Sequence, residues 1–184
     1  MKQFIALFYF NNYAMKTIKV LLLLTLTFAG LNNVKADQPT VSIAFNKVIN
    51  NYLDIKNALV AGDAATAQAK AKSMVTHLST IPQKEMDAAQ RKAWAEYSNK
   101  LASDAQQIGS QSNVEAKRER FATLSNNFMA VLKVFKMNKT PLYQQYCPMK
   151  KFYWLSETSA IKNPYYGNAM LTCGTTQETF EAVK

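Results

Sequence analysis

Apolar residues recur at three- and four-residue spacing along most of the chain. Between residues 41 and 61 they fall at Val41, Phe45, Val48, Tyr52, Ile55 and Leu59, which is one stripe of a 3.6-residue helix. Thr40 follows Pro39 in a capping position, Gly62 can end the helix in a left-handed turn, and Asp63 can cap the next one. Ala67, Ala71, Met74 and Leu78 predict a second helix over about 64–78. Its small residues would let a neighbouring helix approach closely. Ile81-Pro82 then breaks the chain. Met86, Ala93, Trp94, Tyr97, Leu101, Ala105 and Ile108 predict a third helix from about Lys84 to Ile108, with Trp94 as a core anchor. Gly109 to Asn113 has turn composition, and Ser112 and Glu115 have the spacing of a capping box. A fourth helix is expected from there to about Lys136, with Phe121, Leu124, Phe128, Val131, Leu132 and Phe135 inward. Glu115 to Arg120 alternates in sign, as a solvated helical surface does.

Four amphipathic helices joined by short turns predict an all-α, up-down four-helix bundle. After Lys136 the pattern changes. Pro141, Pro148, Pro164, Gly167 and Gly174 interrupt any long period. An irregular C-terminal loop region is therefore expected, carrying Cys147-Pro148-Met149 and Asn163-Pro164-Tyr165-Tyr166-Gly167. Its density of aromatic residues argues that it is packed. A short final helix is expected from Gln177 to Val183, capped by Thr176.

The N-terminus has a different hydropathy. Lys16 and Lys19 precede an apolar run from Val20 to Ala29, and Val34-Lys35-Ala36 supplies a signal-peptidase site. We expect residues 1–36 to be a signal peptide whose true start is Met15, and residues 37–184 to be a single helical domain. The apolar run is short for a permanent span, so no membrane anchor is expected after cleavage and the mature protein should be periplasmic or secreted. Losing Lys2, Lys16, Lys19 and Lys35 lowers the net charge from +10 to +6. In an exported protein that charge favours anionic envelope surfaces or acidic partners over nucleic acid.

Export also bears on the two cysteines, Cys147 and Cys173. In an oxidising compartment they can pair as a disulfide. They can instead join Met149 and Met170 as a set of soft sulfur ligands, which would select Cu(I) over hard cations. Zinc suits this set less well, because methionine is a poor ligand for it and no histidine is near in sequence. Lys150 and Lys151 would favour the thiolate of Cys147. Trp154, Asn163, Tyr165 and Tyr166 are binding-loop candidates, or else packing beneath the loop. His77, the one histidine, lies near the end of the second helix, where a cation is favoured, and reads as a solvated or dipole-paired group. No Ser-His-Asp order, Cys-x-x-Cys or phosphate-binding loop occurs, and Cys147 with distant His77 is the only formal nucleophile–base pair. A binding protein is expected, not an enzyme.

Tyr52 to Val60, Arg118 to Ser125, Leu142-Tyr143, Tyr146-Cys147-Pro148-Met149, Trp154-Leu155-Ser156, Ile161 to Gly167 and Met170 to Gly174 together resemble the domain-of-unknown-function 3347 family. The likeness extends over about Phe45 to Phe180. Many members carry a longer, Gly-Ala-containing loop where this chain has only Lys150 to Tyr153. The resemblance implies an exported bacterial domain, found alone or appended to periplasmic adaptor subunits of heavy-metal efflux systems. It further implies a role in copper or heavy-metal handling, with an envelope protein or efflux component as partner. The alternative is a disulfide-stapled domain that docks onto an envelope protein without metal.

Overall fold

The computed structural model describes residues 39–183. The expected signal peptide, with its start at Met15 and cleavage after Ala36, lies outside the described residues. Helix α1 spans Pro39–Ala61 and α2 spans Ala64–Ser79. Because α1 begins at Pro39, Thr40 lies inside its first turn and is not its cap. The link passes through Gly62 at φ 74, and the Asp63 carboxylate accepts from the Thr66 N–H at 2.9 Å, starting α2. The stripe Ala67, Ala71, Met74 and Leu78 is buried, as its spacing predicts.

Helix α3 spans Ala88–Ser110, preceded by a single 3-10 turn at Gln83–Glu85. It starts later than Lys84 because Asp87 and Gln90 form a reciprocal capping box there. Trp94 is 2% exposed and tilts against Phe135. Helix α4 spans Val114–Phe135. Its cap is Asn113, which accepts from the Ala116 N–H at 2.8 Å, in place of Ser112. The six apolar residues expected to face inward on α4 are all buried. Phe45 and Tyr52 of α1 stack along them, with ring centroids 4.5 Å from Phe135 and 4.7 Å from Phe128 respectively.

Two charged residues correct the picture of a purely apolar interior. Lys117 is not on a solvated face. Its ammonium is buried and donates to the Ile108 and Gln111 carbonyls, sealing the end of α3. Lys56 is also fully buried and reaches Glu157 at 2.7 Å. Both positions fall on the apolar stripes by spacing, Lys56 four residues after Tyr52 and Lys117 four before Phe121.

The all-α expectation is overturned beyond Lys136. A three-stranded antiparallel sheet stands there, of β1 (Leu142–Cys147), β2 (Phe152–Ser156) and β3 (Thr175–Phe180), in the order β2-β1-β3, and only residues 157–174, with the Asn163 motif, form the irregular loop expected. The described fold is four helices plus this sheet. The final segment forms β3 and not a helix over 177–183. The cause is local chemistry. Tyr143, Tyr146, Phe152, Tyr153 and Trp154 are strand formers, and β3 contains three threonines. Pro148 falls in a four-residue hairpin turn, so it punctuates two strands without breaking either.

Tyrosine hydroxyls cover the outer edge of β2. Tyr52 accepts from the Leu155 N–H at 3.0 Å and bonds Ser125 at 2.7 Å, while Tyr165 donates to the Tyr153 carbonyl. Together they close one edge of the sheet against α1 and the Asn163 loop. Strand β3 forms the other edge and is largely exposed. Among the described residues no helix is long and apolar enough to cross a membrane.

Candidate thiol site

Cys147 is the last residue of central strand β1 and is fully buried. Phe152 of β2 stands opposite it. On the other side, β3 begins with Thr175 paired to Tyr146, which brings Gly174 and Cys173 alongside. Cys173 is partly exposed and stands beside Cys147 at the end of β1. Both are free thiols in this structure. Burial, followed by the neighbouring Cys147, pushes the Cys173 thiol above its ordinary pKa.

Gly174 is what permits the approach. A Cβ there would lie 2.8 Å from the Trp154 ring and 3.0 Å from the Tyr146 carbonyl oxygen, and its φ is +155°. Any side chain at this position would push the segment carrying Cys173 off the central strand.

The two methionines stand on exposed turns. Met149 lies in the β1–β2 hairpin and is 64% exposed, and Met170 is 37% exposed. The structure therefore brings Cys147 and Cys173 together and leaves Met149 and Met170 outside the core on the flanking turns. Among the described residues no three His, Cys, Asp or Glu side chains gather as a metal-holding group. A metal here would draw on thioether sulfur as well as the thiols.

Lys150 bonds Glu119 and sits 5.8 Å from the Tyr166 ring centroid. The Glu119 bond is the main reason its ammonium pKa is raised. Lys151, at φ 58, occupies the left-handed position that leads into β2. His77 donates from Nδ1 to Asn51 and takes no part in the thiol site.

Trp154 and Asn163 are fully buried and Tyr165 nearly so, whereas Tyr166 is partly exposed. Tyr165 packs edge-on to Phe152 and Trp154 at 5.2 and 5.9 Å, and burial drives its hydroxyl pKa well up. The Trp154 Nε1 has no hydrogen-bond partner, and neither does Oε1 of Gln145, which faces Trp154 across β1 and β2. Arg118 contributes a contact that sequence reasoning missed. It donates to the Pro164 carbonyl at 3.0 Å and to the Leu59 carbonyl at 2.9 Å, tying the Asn163 loop to the end of α1. Its place in a run of alternating charge concealed this role.

No curated protein and no solved structure matches the chain. A family match covers residues 48–140, just over half of the 184. It takes in most of α1 and the three later helices and ends before β1, so the cysteine and methionine motifs lie outside the matched span. On that match the chain belongs to the family described as Protein of unknown function (DUF3347).

Proposed function

We propose that the protein is an exported binding module that takes up a soft cation such as Cu(I) at the Cys147–Cys173 pair and passes it to an envelope efflux component. The observation that carries this reading is two free thiols side by side, with the thioethers of Met149 and Met170 exposed on the turns around them. Thiolate and thioether sulfur favour Cu(I) over hard cations. Exposed methionines suit first capture of an arriving ion, and a buried thiol suits retention. The fusion of relatives to heavy-metal efflux adaptors that the resemblance implies supports the same reading, as does the signal-like N-terminus. The proposed role is binding and not catalysis, and His77, bonded to Asn51, takes no part in it.

The test is titration of reduced protein with Cu(I) in competition with a chromophoric chelator. The expected result is saturation at one equivalent. Cys147→Ser should abolish binding and Met170→Leu should weaken it with helix content unchanged. Uptake no greater than that of a variant lacking both cysteines would overturn the proposal.

The complete burial of Cys147 favours a second reading. In an oxidising compartment the pair can exchange with an external disulfide. The Cys147–Cys173 bond forms, the donor's S–S bond breaks, and the donor leaves as two thiols carrying the two protons and two electrons. Such a staple would stabilise the fold by roughly 3.5 kcal/mol in the loop-closure picture, and the module would then dock onto an envelope partner without metal. Counting alkylatable thiols and bound metal on one sample of native protein separates the two. Two thiols with bound metal support the first reading, and no thiols with no metal support the second.

A further inference from the structure

Asn163 is fully buried, and all four of its polar groups are used within the segment that carries Cys173. Its side-chain N–H donates to the Cys173 carbonyl at 2.7 Å, and its side-chain oxygen accepts from the Tyr165 N–H at 2.8 Å. Its backbone N–H donates to the Leu171 carbonyl at 2.8 Å, and its carbonyl accepts from the Gly167 N–H at 2.9 Å. We propose that Asn163 is the positioning residue of the thiol pair, holding Cys173 against Cys147. The proposal rests on reading that pair as the protein's working group.

The physical case is one of reach. Cys147 is immobile in a central strand, whereas Cys173 lies on a connection between a 3-10 turn and an edge strand. A thiol on an untethered connection samples many positions, and its effective concentration at Cys147 falls accordingly. The carbonyl that Asn163 grips is bonded to the Cα that carries the thiol side chain, so this hydrogen bond fixes the place of that Cα and the direction of its Cα–Cβ bond, and leaves Sγ only the χ1 rotation. The clamp is itself held from α4, through Arg118 on the Pro164 carbonyl, and from β2, through the Tyr165 hydroxyl on the Tyr153 carbonyl. Only a short amide offers a donor and an acceptor at this length. Aspartate lacks the donor, and glutamine is one methylene too long.

The test is the equilibrium between reduced full-length protein and a glutathione redox buffer, read by alkylation and mass. Cys173, the more accessible thiol, attacks oxidised glutathione and releases one reduced glutathione. Cys147 then displaces the second, so the intramolecular S–S bond replaces that of glutathione. Asn163→Ala and Asn163→Asp should each lower the equilibrium constant about tenfold, the equivalent of one hydrogen bond at about 1.4 kcal/mol per decade. If Asn163→Ala does not fold, Asn163→Asp, which keeps the acceptor for Tyr165, carries the test. Tyr52→Phe, which loses bonds to Ser125 and Leu155 away from the thiols, should lower Tm yet leave the constant within about twofold. Folded Asn163 variants with an unchanged constant would overturn the positioning role. Failure of the wild-type protein to form the intramolecular bond at any glutathione ratio would instead overturn the reading of the pair on which that role rests.

Discussion

Lys56 illustrates how one side chain on the wrong side of an amphipathic pattern can tie two parts of a fold together. Its ammonium is buried beneath the end of β2 and meets Glu157, which Asn57 also bonds at 2.8 Å. The two ends of the bridge respond in opposite directions. Burial pushes the Lys56 ammonium below the ordinary lysine pKa despite its partner. Burial also pulls Glu157 upward, but the bonds from Lys56 and Asn57 outweigh it and hold the carboxyl below its ordinary value. The bridge thus acts mainly as a positional lock, since the Lys56 desolvation penalty offsets most of the attraction. Lys56→Met should therefore cost little in a denaturant titration, whereas Glu157→Gln should cost on the order of 2 kcal/mol by leaving a buried ammonium unpaired. The sign of the pH dependence follows. The contribution of Glu157 is present above the ordinary carboxylate range and is lost as pH falls through it, so Tm should drop on acidification by less in Glu157→Gln than in wild type. Gly174 is the other decisive residue. Gly174→Ala should cost about 1–3 kcal/mol through overpacking against Trp154, and Cys173 should become faster to alkylate.

At the scale of elements, the helices were legible and the sheet was not. Val41 to Leu59 and Phe121 to Phe135 repeat at 3.6 residues because each helix buries a single stripe, and such a stripe is visible in one dimension. The strands hide their pattern. In β2 Trp154, Leu155 and Ser156 are all buried, because helices cover one face and tyrosine hydroxyls the edge, so no apolar–polar alternation appears. Strand β3 is polar almost throughout, and its only signal is its threonines. The same contrast predicts dynamics. The Leu155 amide, bonded by Tyr52 in the core, should be among the slowest in the sheet to exchange with deuterium, and the amides of Thr175–Phe180 among the fastest. Equal protection in β2 and β3 would show that β3 is buried by something the isolated chain does not display.

On the scale of the whole molecule, the four described helices support a small sheet, and the sheet presents the thiol pair at one end of its central strand. Cysteine content and position alone marked Cys147 and Cys173 as candidates. Their meeting depends on β1–β3 register, on the absent side chain of Gly174 and on the Asn163 clamp, none of which has a periodic signature. The exposure of Met149 and Met170 was equally invisible, because methionine spacing on turns carries no sign of burial. The family match ends at Thr140, so the site must be judged on its own geometry. The most direct measurement is mild diamide oxidation of the purified protein followed by peptide mapping under non-reducing conditions. The structure predicts one intramolecular Cys147–Cys173 bond in a monomer that has lost two hydrogens and kept its helical circular dichroism. Two thiols still open to alkylation, or covalent dimers joined through Cys173, would contradict it.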